Sequence, residues 1–495
     1  MPALFTTQRI SAADQHALDV SSVSVSKWSS RAIKLAVLVF CVAASFALTI
    51  VVPFVTRIEP KIFRVFAAIQ PVYLLLAAAV VAIVGCLLLR HAEIAVAIFY
   101  VIGFFKGDAR LESSPVDLTV SVAVLMILAI VIRLAFTETE LKLPRAFLWY
   151  VPILFLMFMS LSYTPSLAAG LDKTLRFVFL TLLGAISPFI LVNSRVKLER
   201  FLATLVIGAI LMSINSFFML GGEDRLVAPS GETTALGFCA GLALIVIWTL
   251  WFPKLSLGRR ILFYPLIGVL AVALVGSGGR LANVATAVCL GLSILFCRRL
   301  AVDFGIMLGC GIAALPFVNI PAASIQYLAS LTRPHDAFGT RTDLMRFGLQ
   351  TFLDHPLLGV GIQGYRYVTP NPLTYNFPHN LLLELGAELG VFAVIAFLIF
   401  AFCSFDELFH LLRERNPRYL ALERTVLSLL VLGALDVSVS GEMNNDRLFF
   451  FLLSLPFVLR EFISRDTLQA SFRPATDSLA GTGEAVVAPS WFSHL

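Results

Sequence analysis

Residues 376–392 read NFPHNLLLELGAELGVF and open an apolar run that continues to about residue 402. His379 and Asn380 follow a proline at the entrance of this run, and Glu384 and Glu388 lie within its first turns. Carboxylates at membrane depth are costly and tend to face a cavity or a cation. We therefore predict a helix whose first turns line a polar chamber and whose later turns face lipid. Asn380, Glu384 and Glu388 are spaced four residues apart, so they share one face of that helix.

The composition is that of a membrane protein. The chain has 495 residues, of which 59% are hydrophobic and 14% charged, and its mean hydropathy is +0.90. A soluble chain would carry about 25% charged residues. Continuous apolar runs exclude a transmembrane β-barrel, whose strands alternate. We predict an all-α polytopic membrane protein with about 12–14 transmembrane helices, because runs of about 18 apolar residues cross the ~30 Å hydrocarbon core.

Five regions follow from these runs. They are a cytoplasmic tail (1–31), an N-terminal transmembrane bundle (32–320), a large periplasmic loop (321–386), C-terminal transmembrane helices (387–463) and a disordered cytoplasmic tail (464–495). The spans lie near residues 32–55, 71–89, 92–105, 117–136, 146–162, 174–193, 199–220, 234–252, 261–277, 281–297, 302–320, 387–404, 423–440 and 447–463.

Charge sets the predicted orientation. With both tails inside, the cytoplasmic connections RVKLER, PKLSLGRR, RRLAVD and RERNPRYLALER are all basic, as the positive-inside rule requires. Many cations nevertheless remain on the outer side. They suggest an anionic ligand there, although each one alone could be a side chain that reaches the headgroups.

The large outer loop has two halves of different character. TRTDLMRFGLQTFLDHPLLGVG predicts an amphipathic helix on the outer leaflet, with Thr340 or Thr342 as its N-cap and Pro356 at its end. The glycines of HPLLGVG allow a tight turn. YRYVTPNPLTYNFPHN is rich in Tyr, Pro and Asn, which suits sugar binding but also an ordinary proline-rich loop.

Cysteine and glycine patterns indicate no cofactor. The seven cysteines lie in or at the ends of apolar runs without metal-ligand spacing, so we predict neither disulfides nor a metal site. A phosphate-binding loop of a nucleotide motor is also missing from the sequence.

Several motifs, in order, resemble the O-antigen ligase and polymerase superfamily of bacterial membrane enzymes. TRTDLMRFGLQTFLDHPLLGVG followed by PHNLLLELGAELGVF is similar to the family signature. SYTPSLAAGLDKTLRFVFL, RLVAPSGETTALGFCAG and SGGRLANVATAV resemble its upstream elements, so the resemblance covers about half of the chain, from 160 to 400. It implies a GT-C-like fold, an extracytoplasmic active site in the bacterial inner membrane and no metal.

The resemblance also implies a reaction. The donor would be a glycan on undecaprenyl pyrophosphate, and the acceptor a sugar hydroxyl on a second lipid-linked glycan or on lipid A core. His379 matches the histidine that would act as general base, since imidazole can accept a proton at neutral pH. Arg225 and Arg280 match arginines at outer helix ends, where guanidinium groups would bind the pyrophosphate leaving group.

Other candidates come from their positions. The residues that we expect to bind substrate besides Arg225 are Lys173, Arg176, Arg341, Asn380, Glu384 and Glu388. Purely structural roles stay open for several of them. Asn380 is also a strong helix cap, and Glu384 also complements the helix dipole.

We expect polymerisation of the repeat units of an exported polysaccharide, because the roomy outer loop and the extra helices suit two long glycans. Ligation to lipid A core is the close alternative. Other polysaccharide-export proteins are possible partners, because the long tails and extra spans depart from the family. A lipid-linked sugar flippase would also need a cationic cavity, but transporters usually show internal repeats and helices broken at the midplane.

Overall fold

The computed structural model describes residues 85–105, 118–136, 142–218, 226–296, 301–306, 309, 334–369 and 377–471, and no β-strand occurs among them. The helices of this part of the chain with defined bounds are α1 Ala92–Ile102, α2 Leu118–Phe136, α3 Tyr150–Ser160, α4 Leu167–Arg176, α5 Leu183–Leu191, α6 Arg195–Ser216, α7 Thr233–Val246, α8 Leu257–Gly276, α9 Arg280–Phe296, α10 Pro334–Asp354, α11 Tyr365–Val368, α12 Leu381–Leu389, α13 Val391–Glu414, α14 Leu420–Val439 and α15 Arg447–Ser471. Residues 85–90 and 301–306 are helical as well. A π-helical segment, Phe177–Leu182, joins α4 to α5.

Six described helices are long and apolar enough to cross a membrane. They are Thr119–Phe136, Leu167–Leu191, Arg195–Ser216, Thr233–Lys254, Gly258–Gly276 and Val391–Glu414. Shorter apolar helices cover Ala92–Phe105, Arg145–Ser160 and Arg280–Leu295. The prediction of an all-α polytopic membrane protein is confirmed. The predicted spans 32–55, 71–89 and 302–320 fall wholly or largely outside the described residues, so the number of spans stays a prediction.

The two ends of the helix bundle differ in chemistry. Basic segments meet at one end, where Lys254 lies 3.4 Å from Glu199 and Arg195 donates to the carbonyl of Arg418 over 2.8 Å. From that end α8 runs 20 residues to Gly276, about 30 Å at 1.5 Å per residue. At the far end Arg280 opens α9, and the histidine, glycine and glutamate motifs gather.

Aromatic side chains fill the core between the C-terminal helices. Phe450 of α15 meets Phe397 at a ring separation of 5.8 Å and Phe177 at 5.7 Å, both edge-to-face. Phe451 stacks on Phe201 of α6 at 4.5 Å. Such pairs add about 0.5–1.5 kcal/mol each beyond the area that they bury. They fix α15 against the π-helical segment, α6 and α13, and this packing holds the far end of the bundle in place.

Two helix boundaries differ from the sequence prediction. The loop helix α10 begins at Pro334, so neither Thr340 nor Thr342 is its N-cap; proline is favourable in a first turn because it has no amide hydrogen to satisfy. Its end at Asp354 agrees with the prediction, since His355 precedes Pro356. The apolar run after Asn380 forms two helices, because Gly390 breaks it with φ +79°.

Candidate functional site

The glycine turn of HPLLGVG closes around the break between α12 and α13. Val360 N–H donates to the carbonyl of Ala387 over 2.8 Å, and Gly361 N–H to that of Glu388 over 3.0 Å. Gly359 has φ +66°, and a Cβ there would lie 2.3 Å from the carbonyl carbon of Glu388. The motif HPLLGVG and the motif E-L-G are therefore two halves of one backbone joint.

A third segment, SYTPS, supports the same joint. Tyr163 donates its hydroxyl to the carbonyl of Leu358 over 2.7 Å, and Thr164 donates to that of Ile362 over 2.7 Å. The Ser160 hydroxyl accepts from Ile362 N–H over 3.1 Å. These bonds cross about 200 residues of sequence, and they place the start of α4 beside the glycine turn.

Asn380 is the N-cap of α12, as one of its two predicted roles required. Its side-chain oxygen accepts from Leu383 N–H over 2.9 Å, and its amide nitrogen donates to the carbonyl of Ser438 over 2.8 Å. The second bond fastens the mouth of α12 to the end of α14. Both polar groups of the Asn380 side chain thus have protein partners.

His379 occupies a strained backbone position at this mouth. Its φ is +55°, a left-handed conformation that is uncommon for residues other than glycine. Its ring lies 4.4 Å from that of Phe377 between centroids. Strain of this kind persists where the surroundings impose it, and it is concentrated at functional sites.

The surroundings of His379 keep its ring neutral. Burial, together with the positive charge of Arg341, lowers the pKa of His379 to about 4. A neutral imidazole has a free nitrogen lone pair at physiological pH. The ring is therefore in the unprotonated form that a general base needs over a wider pH range than an exposed histidine.

Arg341 links the histidine to a second charged group. Its guanidinium donates to the Ser440 hydroxyl over 3.2 Å. Burial lowers the pKa of Arg341, the carboxylate of Asp436 opposes this shift, and the charge of Arg280 adds to it. Arg341 thus interacts electrostatically with Arg280, Asp436 and His379, and two guanidinium groups are a suitable environment for a pyrophosphate.

A rigid turn presents Arg280 at the start of α9. Gly278 has φ +64°, and the buried Ser277 hydroxyl accepts from Gly279 N–H over 3.1 Å. Asn283 donates back to the carbonyls of Leu274 and Gly279 over 3.1 and 2.8 Å. The motif SGGRLAN is therefore a tight connection between α8 and α9, and the first-turn N–H groups of α9 add positive potential at Arg280.

The remaining predicted substrate-binding residues lie apart from the group formed by His379, Arg341 and Arg280. Lys173 is 3% exposed, and its ammonium lies 2.6 Å from Glu384 Oε1 and 2.7 Å from Glu388 Oε2. The predicted common face of the two glutamates is confirmed by this shared partner. Arg176 is 57% exposed and pairs with Asp172 over 2.9 Å. Arg225 lies outside the described residues.

The turn after α14 was not among the predicted site residues. Ser440 begins it and binds Arg341, while Met443 N–H donates to Glu384 Oε2 over 2.8 Å. The sequence feature that could have indicated this turn is GEMNNDRL, a polar stretch between two apolar runs. Asp436 is a carboxylate within the predicted span 423–440, but its electrostatic partner, Arg341, is not identifiable from the sequence.

Comparison with known families agrees with the motifs. Residues 265–398 match the O-antigen ligase family. The matched segment is a little over a quarter of the chain, and it contains Arg280, Arg341, His379, Glu384 and Glu388. The resemblance seen in the motifs is confirmed over this segment. The match supports an O-antigen ligase- or polymerase-type membrane glycosyltransferase. No protein with a curated description matches the chain at a significant level.

Proposed function

We propose that this protein transfers a glycan from undecaprenyl pyrophosphate to an acceptor sugar hydroxyl at the outer face of the bacterial inner membrane, and that it polymerises the repeat units of an exported polysaccharide. The observation that carries this proposal is a neutral histidine in a strained conformation that interacts electrostatically with Arg341, which in turn interacts with Arg280. A base and an anion site side by side are what glycosyl transfer from a pyrophosphate requires.

In the proposed reaction, His379 accepts the proton of the acceptor hydroxyl. The hydroxyl oxygen then forms a bond to the anomeric carbon of the donor as the bond from that carbon to the pyrophosphate oxygen breaks. The leaving pyrophosphate keeps the electron pair, and Arg280 and Arg341 stabilise its developing charge. The proton remains on His379 until water or the departing pyrophosphate removes it.

The position of the site, at the end of the bundle away from the basic connections, supports the proposed orientation. The basic connections near residues 195–200, 254–260 and 413–424 gather at the opposite end. Cytoplasmic loops carry the excess of Lys and Arg in membrane proteins. The site then faces the periplasm, where lipid-linked glycans would meet their acceptors.

Ligation to lipid A core is the second candidate, because the matching family is described as O-antigen ligase. Purified protein in proteoliposomes would be given a lipid-linked repeat unit, alone or with lipid A core. A ladder of products on the carrier supports polymerisation, whereas transfer to lipid A core alone supports ligation. If neither product forms and the lipid-linked glycan instead crosses the bilayer, the protein is a flippase and the proposal is wrong.

Replacing Arg280 tests the anion site. We expect Arg280→Met to lower kcat by about 10²–10³-fold, the typical cost of removing one group that stabilises transition-state charge. Arg259→Met is the matched control: it removes an exposed arginine from the first turn of the neighbouring helix, at the basic end of the bundle. Steady-state kinetics should show less than about a twofold change for this control, because exposed side chains far from the reaction contribute little.

The pH profile tests the state of His379. An ordinary histidine with a pKa near 6.5 would lose about tenfold of its neutral form between about pH 7.5 and 5.5. Since the pKa of His379 is lowered to about 4, the base stays neutral across this interval and protonates only below it. We expect kcat/KM, which reports the free enzyme, to stay within about twofold over that range. In Arg341→Met the falling limb should move to higher pH, and an unmoved limb near 6.5 in both proteins would contradict the assignment.

A further inference from the structure

A closed ion group lies behind the candidate site. Lys173 bridges Glu384 and Glu388, and all three side chains are at least 97% buried. Because the ammonium is enclosed, it is poorly placed to touch a pyrophosphate on a lipid carrier. Buried ion pairs also add little net stability compared with well-packed apolar residues. The geometry therefore suits a purpose other than substrate contact or simple stabilisation.

The two glutamates of the group also hold two other backbone segments, and the main chain at Lys173 makes a further bond to one of them. Glu384 Oε2 accepts from Met443 N–H over 2.8 Å. Glu388 Oε2 accepts from Gln363 N–H over 2.9 Å, where the backbone has φ +60°. The carbonyl of Lys173 accepts from the side chain of Asn444 over 3.1 Å. One ammonium thus ties together α4, the glycine turn, α12 and the turn after α14.

Two of these segments, α12 and the turn after α14, connect the ion group to His379 and to Arg341. Glu384 lies one helical turn beyond Asn380, the residue next to His379, and Glu384 N–H donates to the carbonyl of Asn380 over 2.9 Å. Met443 lies three residues beyond Ser440, whose hydroxyl accepts from Arg341. A shift of the ion group would therefore move the general base and one arginine relative to each other.

We propose that Lys173, Glu384 and Glu388 are positioning residues that set the distance between His379 and Arg341; this inference rests on the proposed function. Misplacement of a reacting group by about 1 Å can cost about 10²-fold in rate, so a rigid anchor at this point has a large effect on the reaction. It replaces the expectation that these three side chains bind the substrate.

The test uses a variant in which all three members of the ion group are neutral. Lys173→Met alone would leave two buried carboxylates without a counter-charge, which can prevent folding. The triple variant Lys173→Met, Glu384→Gln, Glu388→Gln keeps the side-chain shapes and removes all three charges. Lys254→Met is the control, because it removes a half-exposed lysine that pairs with Glu199 at the other end of the bundle.

Two measurements are made on detergent-purified protein with a wild-type thermal transition. The first is the rate at which diethyl pyrocarbonate modifies His379, followed by mass spectrometry, with the exposed His410 as the internal reference. The second is kcat and KM for the lipid-linked repeat unit. For the triple variant we expect His379 labelling to change by about threefold or more, kcat to fall by about tenfold or more and KM to stay within about twofold.

The outcomes separate three roles. Unchanged labelling and unchanged kcat in the folded triple variant would mean a purely structural ion group and would overturn the proposal. A KM raised by about tenfold with kcat unchanged would mean direct substrate binding and would also overturn it. The labelling experiment needs no substrate. If the wild-type protein transfers no glycan while labelling still changes, the proposed function fails and the positioning of His379 by the ion group stands.

Discussion

His379→Ala is expected to lower glycan transfer by about 10²–10⁴-fold, the usual contribution of a general base, while the protein still folds. The ring is half-buried and lies in loop structure at the mouth of α12, so its removal opens no cavity in the aromatic core. Histidine and alanine both carry a Cβ, so the backbone strain at φ +55° is present in both proteins and changes little. Product formation in proteoliposomes and thermal unfolding would be measured on the same preparation.

A second substitution separates chemistry from backbone strain. Asparagine tolerates the left-handed conformation better than most residues and cannot act as a base, so His379→Asn should unfold like wild type and be as inactive as His379→Ala. His410→Ala is the control, since that histidine is exposed on α13 beside Asp406. If His379→Asn keeps more than about a tenth of wild-type glycan transfer, the ring is not the general base.

Features that depend on residues close together in the sequence were predicted correctly. The i, i+4, i+8 spacing of Asn380, Glu384 and Glu388 placed them on one helix face, and both glutamates do meet one partner. That partner could not be predicted as such. Lys173 lies 211 residues before Glu384, and only the fold brings α4 and α12 together.

Two further features that the sequence did not predict also depend on contacts between residues distant in the sequence. Arg341 and Asp436 interact, although they lie on separate helices and each could have faced lipid, water or another charge. The run LGAELGVF is apolar enough to continue as one helix by composition. The break at Gly390 depends instead on the backbone of the glycine turn, which packs against it and occupies the space that a side chain would need.

Because of that packing, a substitution at Gly390 is expected to impair folding. Gly390 has φ +79° and ψ −175°, a region essentially restricted to glycine. A Cβ there would lie 2.1 Å from the carbonyl oxygen of Leu357, and Val391 N–H donates to the carbonyl of Pro356 over 2.8 Å in the same joint. Gly390→Ala therefore combines strain of about 1–3 kcal/mol with a clash of about 1–3 kcal/mol or more.

The expected result is a large loss of folded protein in the membrane, measured as monodisperse protein recovered after detergent extraction and as the thermal transition of what remains. Gly268→Ala is the matched control, because a Cβ at that glycine meets nothing within 4 Å. In the middle of α8 it should leave stability unchanged or raise it by about 0.5–1 kcal/mol, since alanine favours a helix over glycine. Wild-type recovery of Gly390→Ala would mean that the joint can open without loss of the fold. The backbone of the glycine turn would then be able to move away from the break at Gly390, and its role as a fixed part of the fold would be wrong.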